Sequence, residues 1–292
     1  MGTILITGGA GFVGSNLARF FATHMSVIVA DVGPPAQTST SVKWVKLDVT
    51  DVEATLSTIE QISPHVVIHT AGNKNVLYCE AHSDEAHKVN ALGTQNVARA
   101  CKTVGAHMIY ISTDLVFACT DGVYKETDTP HPTSVYGTTK LQGEELALQE
   151  LNEVAICRSG GIYGRGSPLL RWLAGELQAG RSVECFTDVY NTPTYAENLA
   201  EMIQAIIQQR LSGIFHTVGR ERVNRFQFFQ TYAAQFGLDV SLLHPVQAGG
   251  QRATLILQAD ASLSQEYTIA RIGIMPNSVV EGLARLKTAM GA

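Results

Sequence analysis

Short apolar runs alternate with amphipathic stretches through the first half of the chain. Ile4-Leu5-Ile6, Val27-Ile28-Val29, Val66-Val67-Ile68 and residues 108–111 and 154–157 are apolar or β-branched on both faces, and residues 42–47 are expected to be a buried strand beside them. Parallel strands covered by helices on both sides have this pattern, whereas a half-exposed strand alternates. Residues 11–24, 51–60, 84–104 and 134–151 separate most of these runs and have helical spacing. The alternation predicts an α/β fold, a Rossmann-type doubly wound parallel sheet.

The rhythm then loosens. Residues 160–168 form a Gly/Pro/Ser-rich loop, and Asn191-Thr192-Pro193-Thr194 precedes a predicted helix over 195–209. A strand over 213–218, a helix over 225–236 and a less regular tail follow. The expected organisation is a dinucleotide-binding domain over residues 1–158, to which the chain crosses back later. Residues 159–292 are then mainly a smaller C-terminal α/β lobe that binds substrate over the carboxyl edge of the sheet.

Composition narrows the class. With 45% apolar residues the chain can bury a sizeable core, which excludes a disordered tail. Its 21 Lys+Arg against 26 Asp+Glu leave a net charge of −5, so a nucleic-acid partner is not expected. The 5 cysteines are scattered and never spaced CxxC, which argues against a disulfide framework or zinc site and for a reducing cytosol. No apolar run approaches the roughly 20 residues that span a bilayer, and the first residues carry no leader-like pattern. A cytoplasmic protein with no membrane partner is expected. The histidines lack ligand spacing, so no metal is expected, and His69 reads as a structural strand-end residue.

Thr7-Gly8-Gly9-Ala10-Gly11-Phe12-Val13-Gly14 joins the first strand to the first helix. Gly8 permits the tight turn, Gly11 lets a pyrophosphate approach the backbone, and Gly14 lets helix and strand pack closely. The helix N-terminus offers free N–H groups to phosphate. Phe12 and Val13 belong to the same candidate cofactor surface. Asp31 closes the second strand, where a carboxylate can bond both ribose hydroxyls and repel a 2′-phosphate. No Arg or Lys lies between Val32 and Val42, so NAD(H) is favoured, with NADP(H) an open alternative.

Tyr136-Gly137-Thr138-Thr139-Lys140 places a phenol and an ammonium one helical turn apart. Lys140 is expected to lower the phenol's pKa and grip the cofactor ribose, leaving Tyr136 to exchange a proton with a carbonyl or alcohol. Alone, this spacing is weak. Ser112-Thr113-Asp114 sharpens it, because it ends an apolar strand where doubly wound sheets bind ligands. A hydroxyl there can hold the reacting oxygen, although a strand-end turn cap is the blander reading.

These pieces together resemble the extended short-chain dehydrogenase/reductase family over nearly the whole chain. Asp31, Leu47-Asp48-Val49, His69-Thr70-Ala71-Gly72, Val89-Asn90-Ala91 and the Thr113/Tyr136/Lys140 trio carry the resemblance. It implies that Asp48 and Val49 meet adenine, that Ala71 and Gly72 lie along the cofactor, and that Asn90 sits near the active site. Residues 112–117, Tyr124-Lys125-Glu126, residues 136–144 and Thr192-Pro193-Thr194 before Asn198-Leu199-Ala200 are similar to the dTDP-4-dehydrorhamnose reductase-like branch. Thr194 also reads simply as a helix N-cap.

Some positions depart from relatives. Leu115 replaces the Glu of sugar-nucleotide 4,6-dehydratases, and Gly161 replaces an Asn of the epimerases. Cys119 and Leu77 replace acids of the reductase branch, while Gly11-Phe12-Val13-Gly14 is epimerase-like.

The resemblance implies an NAD(P)H-dependent reductase of a nucleotide-linked 4-keto-deoxysugar, with Thr113, Asn191, Thr192, Arg222 and Arg252 toward the substrate. Arg220 and Arg225 lie in the same lobe, where a diphosphate needs cationic donors. An NAD-dependent sugar-nucleotide 4-epimerase is one alternative. A dinucleotide-binding regulatory subunit, resembling that of methionine adenosyltransferase, is another. Relatives further imply a homodimer through a four-helix interface built from the helices near 84–104 and 134–151.

Overall fold

The computed structural model describes residues 2–35, 42–249 and 258–291. Its first strands are β1 (Thr3–Thr7), β2 (Ser26–Asp31), β3 (Val42–Lys46), β4 (Val66–His69), β5 (His107–Thr113) and β6 (Val154–Ser159). Four short strands follow: β7 (Ile162–Tyr163), β8 (Val183–Phe186), β9 (Tyr190–Asn191) and β10 (Thr194–Tyr195). Then β11 (Gly213–His216) returns to pair with β6. The seven-stranded sheet has the order β11-β6-β5-β4-β1-β2-β3, and every pair is parallel. This is the doubly wound sheet expected from the pattern.

Alternate residues on each strand feed opposite faces. Ile4, Ile6, Val29 and Ile109 pack on Leu17 and Phe21 of α1 (Phe12–Phe21). The return of the chain adds α8 (Ala196–Gln208) to that face through Leu199, Ile203 and Ile206. Leu5, Val67, Met108 and Ile156 turn the other way. They meet α2 (Val52–Ile62), α5 (Gly93–Val104) and α6 (Val135–Glu150). Each such buried side chain contributes about 1.5–3 kcal/mol, so both faces hold the sheet.

The segment over 84–104 is not one regular helix. Following α3 (Val76–Ala81), α4 (Ser83–His87) passes through a wide turn at Lys88–Leu92 into α5. The widened turn holds Asn90, whose side chain is committed to distant partners, and such bulges mark sites of this kind. The loop predicted over 160–168 also contains β7 and ends at Pro168, the first residue of α7 (Pro168–Gln178).

A separate apolar cluster stabilises the C-terminal lobe. It joins Leu173 and Leu177 of α7 to Phe228, Phe229 and Tyr232 of α9 (Arg225–Phe236). Leu283 and Leu286 are added after α10 (Glu266–Ile272), on α11 (Val279–Met290). Thr194 does not cap α8. It lies in β10, and Tyr195 occupies the cap position. Its hydroxyl instead donates to Gly160 O at 2.8 Å and accepts from Gly219 N at 3.2 Å. Those bonds tie the second lobe to the end of β6.

Candidate active site

Parallel pairing brings the carboxyl ends of β1, β2, β4, β5 and β6 to one edge, and the candidate chemistry gathers there. Gly8 adopts a positive φ of 70°, turning the chain after β1. A Cβ on Gly14 would lie 2.4 Å from Gly8 O, so only glycine lets α1 start this close to the strand. Gly11 is the N-cap residue, and no side chain caps α1. Ala10 N donates to Asp31 Oδ2 at 3.0 Å, closing the turn against β2.

At the end of β5, Thr113 Oγ1 accepts from Leu115 N at 3.2 Å and lies 2.9 Å from Asp114 Oδ1. Ser134 caps α6 by accepting from Gly137 N at 3.1 Å. A Cβ on Gly137 would stand 2.1 Å from Leu115 O. The glycine therefore lets α6 press on the turn after Thr113, and Tyr136 and Thr113 line the same cleft. Lys140, one turn on, is buried and donates to Ile111 O at 2.7 Å, with Nζ 4.1 Å from the Tyr110 ring centre.

Burial dominates the titration of these groups. It lowers Lys140 to about 7, with Glu144 opposing the shift. It also raises the Tyr136 phenol above its usual range, with Thr113 opposing. The expected lowering of the phenol by Lys140 is thus not present in this structure, because loss of solvent around the phenolate is the larger effect. Asp114 is pushed up to about 7 by burial, against the pull of Thr113 and nearby backbone. His69 is held near 3 by burial and by the Lys140 charge. It bridges Thr7 Oγ1 at 2.6 Å and Thr94 Oγ1 at 3.0 Å as a neutral structural ring.

One cleft of about 350 Å³ unites most of the expected site. Gly8, Gly11, Phe12, Val13 and Gly14 form one wall, Gly72 adds to it, and Thr113, Tyr136 and Lys140 face them. Asn90 stands just behind. It accepts from Asn73 N at 2.7 Å and donates to Asn73 O and Thr139 Oγ1, each at 3.1 Å. It thereby ties the loop after β4 to α6.

A family model described as the RmlD substrate binding domain matches residues 2–290. The chain belongs to that family. It is 32% identical over 256 residues to the dTDP-4-dehydrorhamnose reductase of Mycobacterium tuberculosis (strain H37Rv), covering 84% of this chain and 79% of that one. It is 29% identical over 252 residues to methionine adenosyltransferase 2 subunit beta of Xenopus tropicalis, covering 83% and 74%. A solved hypothetical dTDP-4-dehydrorhamnose reductase from Sulfolobus tokodaii superposes with a TM-score of 0.82 at 30% identity, covering 96% and 98%. The Bacillus anthracis dTDP-4-dehydrorhamnose reductase, solved in complex with NADP, shares the fold at a TM-score of 0.86 and 24% identity, with 99% of each chain covered. The resemblance to an extended short-chain dehydrogenase/reductase of the sugar-nucleotide reductase branch is borne out.

Within this RmlD-family chain, several expected residues lie outside the cleft walls. Asp48 is exposed and accepts from Thr50 N and Oγ1. Val49 is buried against Gly93, and its carbonyl accepts from Asn96. Ala71 backs the glycine turn, its N at 2.5 Å from where a Gly8 Cβ would stand. Asn191 adjoins Gly161 of the cleft, and the Thr192 hydroxyl is buried and accepts from Leu263 N at 3.4 Å. Arg222 donates to Asp260 Oδ2 at 2.6 Å and stacks 3.7 Å over the Tyr190 ring, so its charge is already matched. Arg220 pairs with Glu281 at 2.9 Å. Arg225 has no carboxylate partner among the described residues and makes a longer contact, 5.6 Å, with the Phe229 ring. Arg252 lies outside the described residues.

The cleft also holds residues that the sequence reading did not single out. Asn73 and Lys74 enter from the loop after β4, with Lys74 Nζ 5.7 Å from the Phe12 ring centre. Ser159 enters at the end of β6, and Gly160 and Ile162 just beyond it. Their signal was positional: each lies at or just past the carboxyl end of a parallel strand. Among the described residues there is no group of His, Cys, Asp and Glu arranged to hold a metal.

Proposed function

We propose that the chain is an NAD(P)H-dependent reductase of the 4-keto group of a nucleotide-linked deoxysugar. The convergence of Thr113, Tyr136 and Lys140 on one cleft with the glycine turn carries this reading. The turn fits a dinucleotide, because Gly8 and Gly14 pack the end of β1 tightly against the start of α1, and the N-terminus of α1, which no side chain caps, borders the cleft. A bound nicotinamide would supply hydride. Thr113 holds the substrate oxygen, Tyr136 gives it a proton, and Lys140 holds the cofactor ribose. Asp31 favours NAD(H), since its carboxylate stands at the end of β2. The neighbour solved with NADP keeps NADP(H) as the competing cofactor.

The finer assignments belong to the same proposal. Asp48, Val49, Ala71 and Gly72 flank the cofactor, and Asn191, Thr192 and Arg222 face the sugar nucleotide. The lobe built after residue 158, apart from β11 and α8, is the substrate lobe. The outer faces of α5 and α6, with exposed Leu92 and Leu148 near them, pair across a two-fold axis as a homodimer. A cytoplasmic location suits the five free, buried cysteines, and no described helix is long and apolar enough to cross a membrane.

The test is to incubate the purified protein with NADH or NADPH and a panel of nucleotide-linked 4-keto sugars. Stoichiometric cofactor consumption is expected, and Tyr136→Phe abolishes it while leaving NADH binding intact. Full activity in Tyr136→Phe sinks the assignment, and turnover without added NADH indicates a 4-epimerase. A second reading, a dinucleotide-binding regulatory subunit, is favoured by the 29% identity to methionine adenosyltransferase 2 subunit beta. It predicts no reductase activity and co-purification with a synthetase.

A further inference from the structure

We propose that Asp114 is a positioning residue that sets which way the Thr113 hydroxyl hydrogen points, and that its neutral carboxyl form is the one competent for carbonyl reduction. This rests on the reductase reading above. The argument begins from the hydrogen-bond capacity of one hydroxyl. Thr113 Oγ1 has a single hydrogen and two lone pairs. One lone pair takes Leu115 N–H at 3.2 Å, and the oxygen also meets Asp114 Oδ1 at 2.9 Å.

An ionised Asp114 can only accept. Thr113 must then give its hydrogen to Asp114, leaving only a lone pair toward the cleft, where a substrate carbonyl needs a donor. A neutral Asp114 reverses the bond. The carboxyl donates to Thr113, and the Thr113 hydrogen is released toward the carbonyl oxygen. Asp114 keeps its proton throughout the turnover, and the proton that neutralises the alkoxide comes from Tyr136.

The surroundings of Asp114 suit a carboxyl that can be neutral. It is 6% exposed and has no ion-pair partner among the described residues. The titratable groups that face it are the Tyr136 phenol and the Cys119 thiol, whose Sγ lies 3.6 Å from Asp114 O. Neither is a cation. On the β6 side the carboxyl rests on bare backbone: a Cβ at Gly160 would lie 2.0 Å from Asp114 Oδ2. Burial accordingly moves its titration toward neutral pH.

The test uses Asp114→Asn, whose amide N–H donates permanently to Thr113. Reductive kcat/KM of the wild type should fall by about tenfold per pH unit above the Asp114 midpoint. Asp114→Asn should stay within about tenfold of wild type at pH 6 and lose that fall, or shift it up by at least about one unit. In pH-difference infrared spectra of the whole protein carrying 13C-labelled aspartate, a protonated-carboxyl band should titrate near neutrality and be missing in Asp114→Asn.

An unchanged alkaline fall in Asp114→Asn overturns the proposal, as does a wild-type protein with no carboxyl band titrating between pH 5 and 9. If Asp114→Asn does not fold, the wild-type band still decides. If no keto sugar is reduced, the function fails separately, and the infrared titration alone reports Asp114.

Discussion

Glu144 on α6 and Arg158 on β6 form a buried two-pronged ion pair, with Nη2 to Oε2 at 2.7 Å and Nε to Oε1 at 3.1 Å. Ser112 donates to the same carboxylate. Arg158 is the register partner of Ser112 across β5 and β6, and Glu144 stands one helical turn beyond Lys140. The pair therefore fixes the helix carrying Tyr136 and Lys140 to the strands carrying Thr113. Removing one partner strands the other charge in a dry site. Arg158→Met or Glu144→Ala should each cost about 3–5 kcal/mol, read as a lower urea midpoint. The double variant should lose less than the sum of the two.

Gly137 controls the distance between α6 and the turn after Thr113. A methyl group there has to displace the Leu115 carbonyl or the helix. Gly137→Ala should therefore lower kcat by about 10²-fold, because small misplacements of reacting groups are costly. NADH binding at the glycine turn should change little. Steady-state kinetics beside a fluorescence titration of NADH separates the two effects, and unchanged kcat would contradict the role given to this contact.

Much of this was legible along the chain. The strands β1, β2, β4, β5 and β6 announce themselves through apolar residues on both faces, whereas β3 is an edge strand with Lys43, Trp44 and Lys46 exposed; the trio shows through a strand end and a one-turn helical spacing. Partnerships between distant segments were not legible. No local pattern pairs Glu144 with Arg158, Arg222 with Asp260, or β11 with β6, since burial of the whole fold selects them. The widened turn at Asn90 was hidden for a related reason: its side chain answers to Asn73 and Thr139. The suppressed charge of Lys140 likewise depends on depth, which spacing does not encode.

That burial makes stability depend on pH. The Lys140 ammonium is held near 7 in the folded protein against 10.5 in the free side chain. Between those values the unfolded chain binds more protons than the native one, so stability rises with pH through this window. Below about 7 both states are protonated, and the penalty of burying the cation is fully present. Lys140→Met should remove this contribution. The wild-type urea midpoint should climb relative to Lys140→Met from pH 7 to 10, and parallel pH profiles would show that Lys140 keeps its ordinary titration.

Asp31 is held at the end of β2 by the Ala10 N–H, which occupies Oδ2 and leaves Oδ1 for a ribose hydroxyl. Its charge also repels a 2′-phosphate. Replacing it by Asn keeps the turn's acceptor while removing the charge. Asp31→Asn should therefore bind NADPH better and NADH worse, lowering the NADH/NADPH ratio of kcat/KM by at least about tenfold, or ~1.4 kcal/mol. Asp31→Ala should lower the ratio similarly but also weaken the turn, visible as a drop in Tm that Asp31→Asn does not share. A ratio unmoved by Asp31→Asn would mean that cofactor choice is made elsewhere along the cleft.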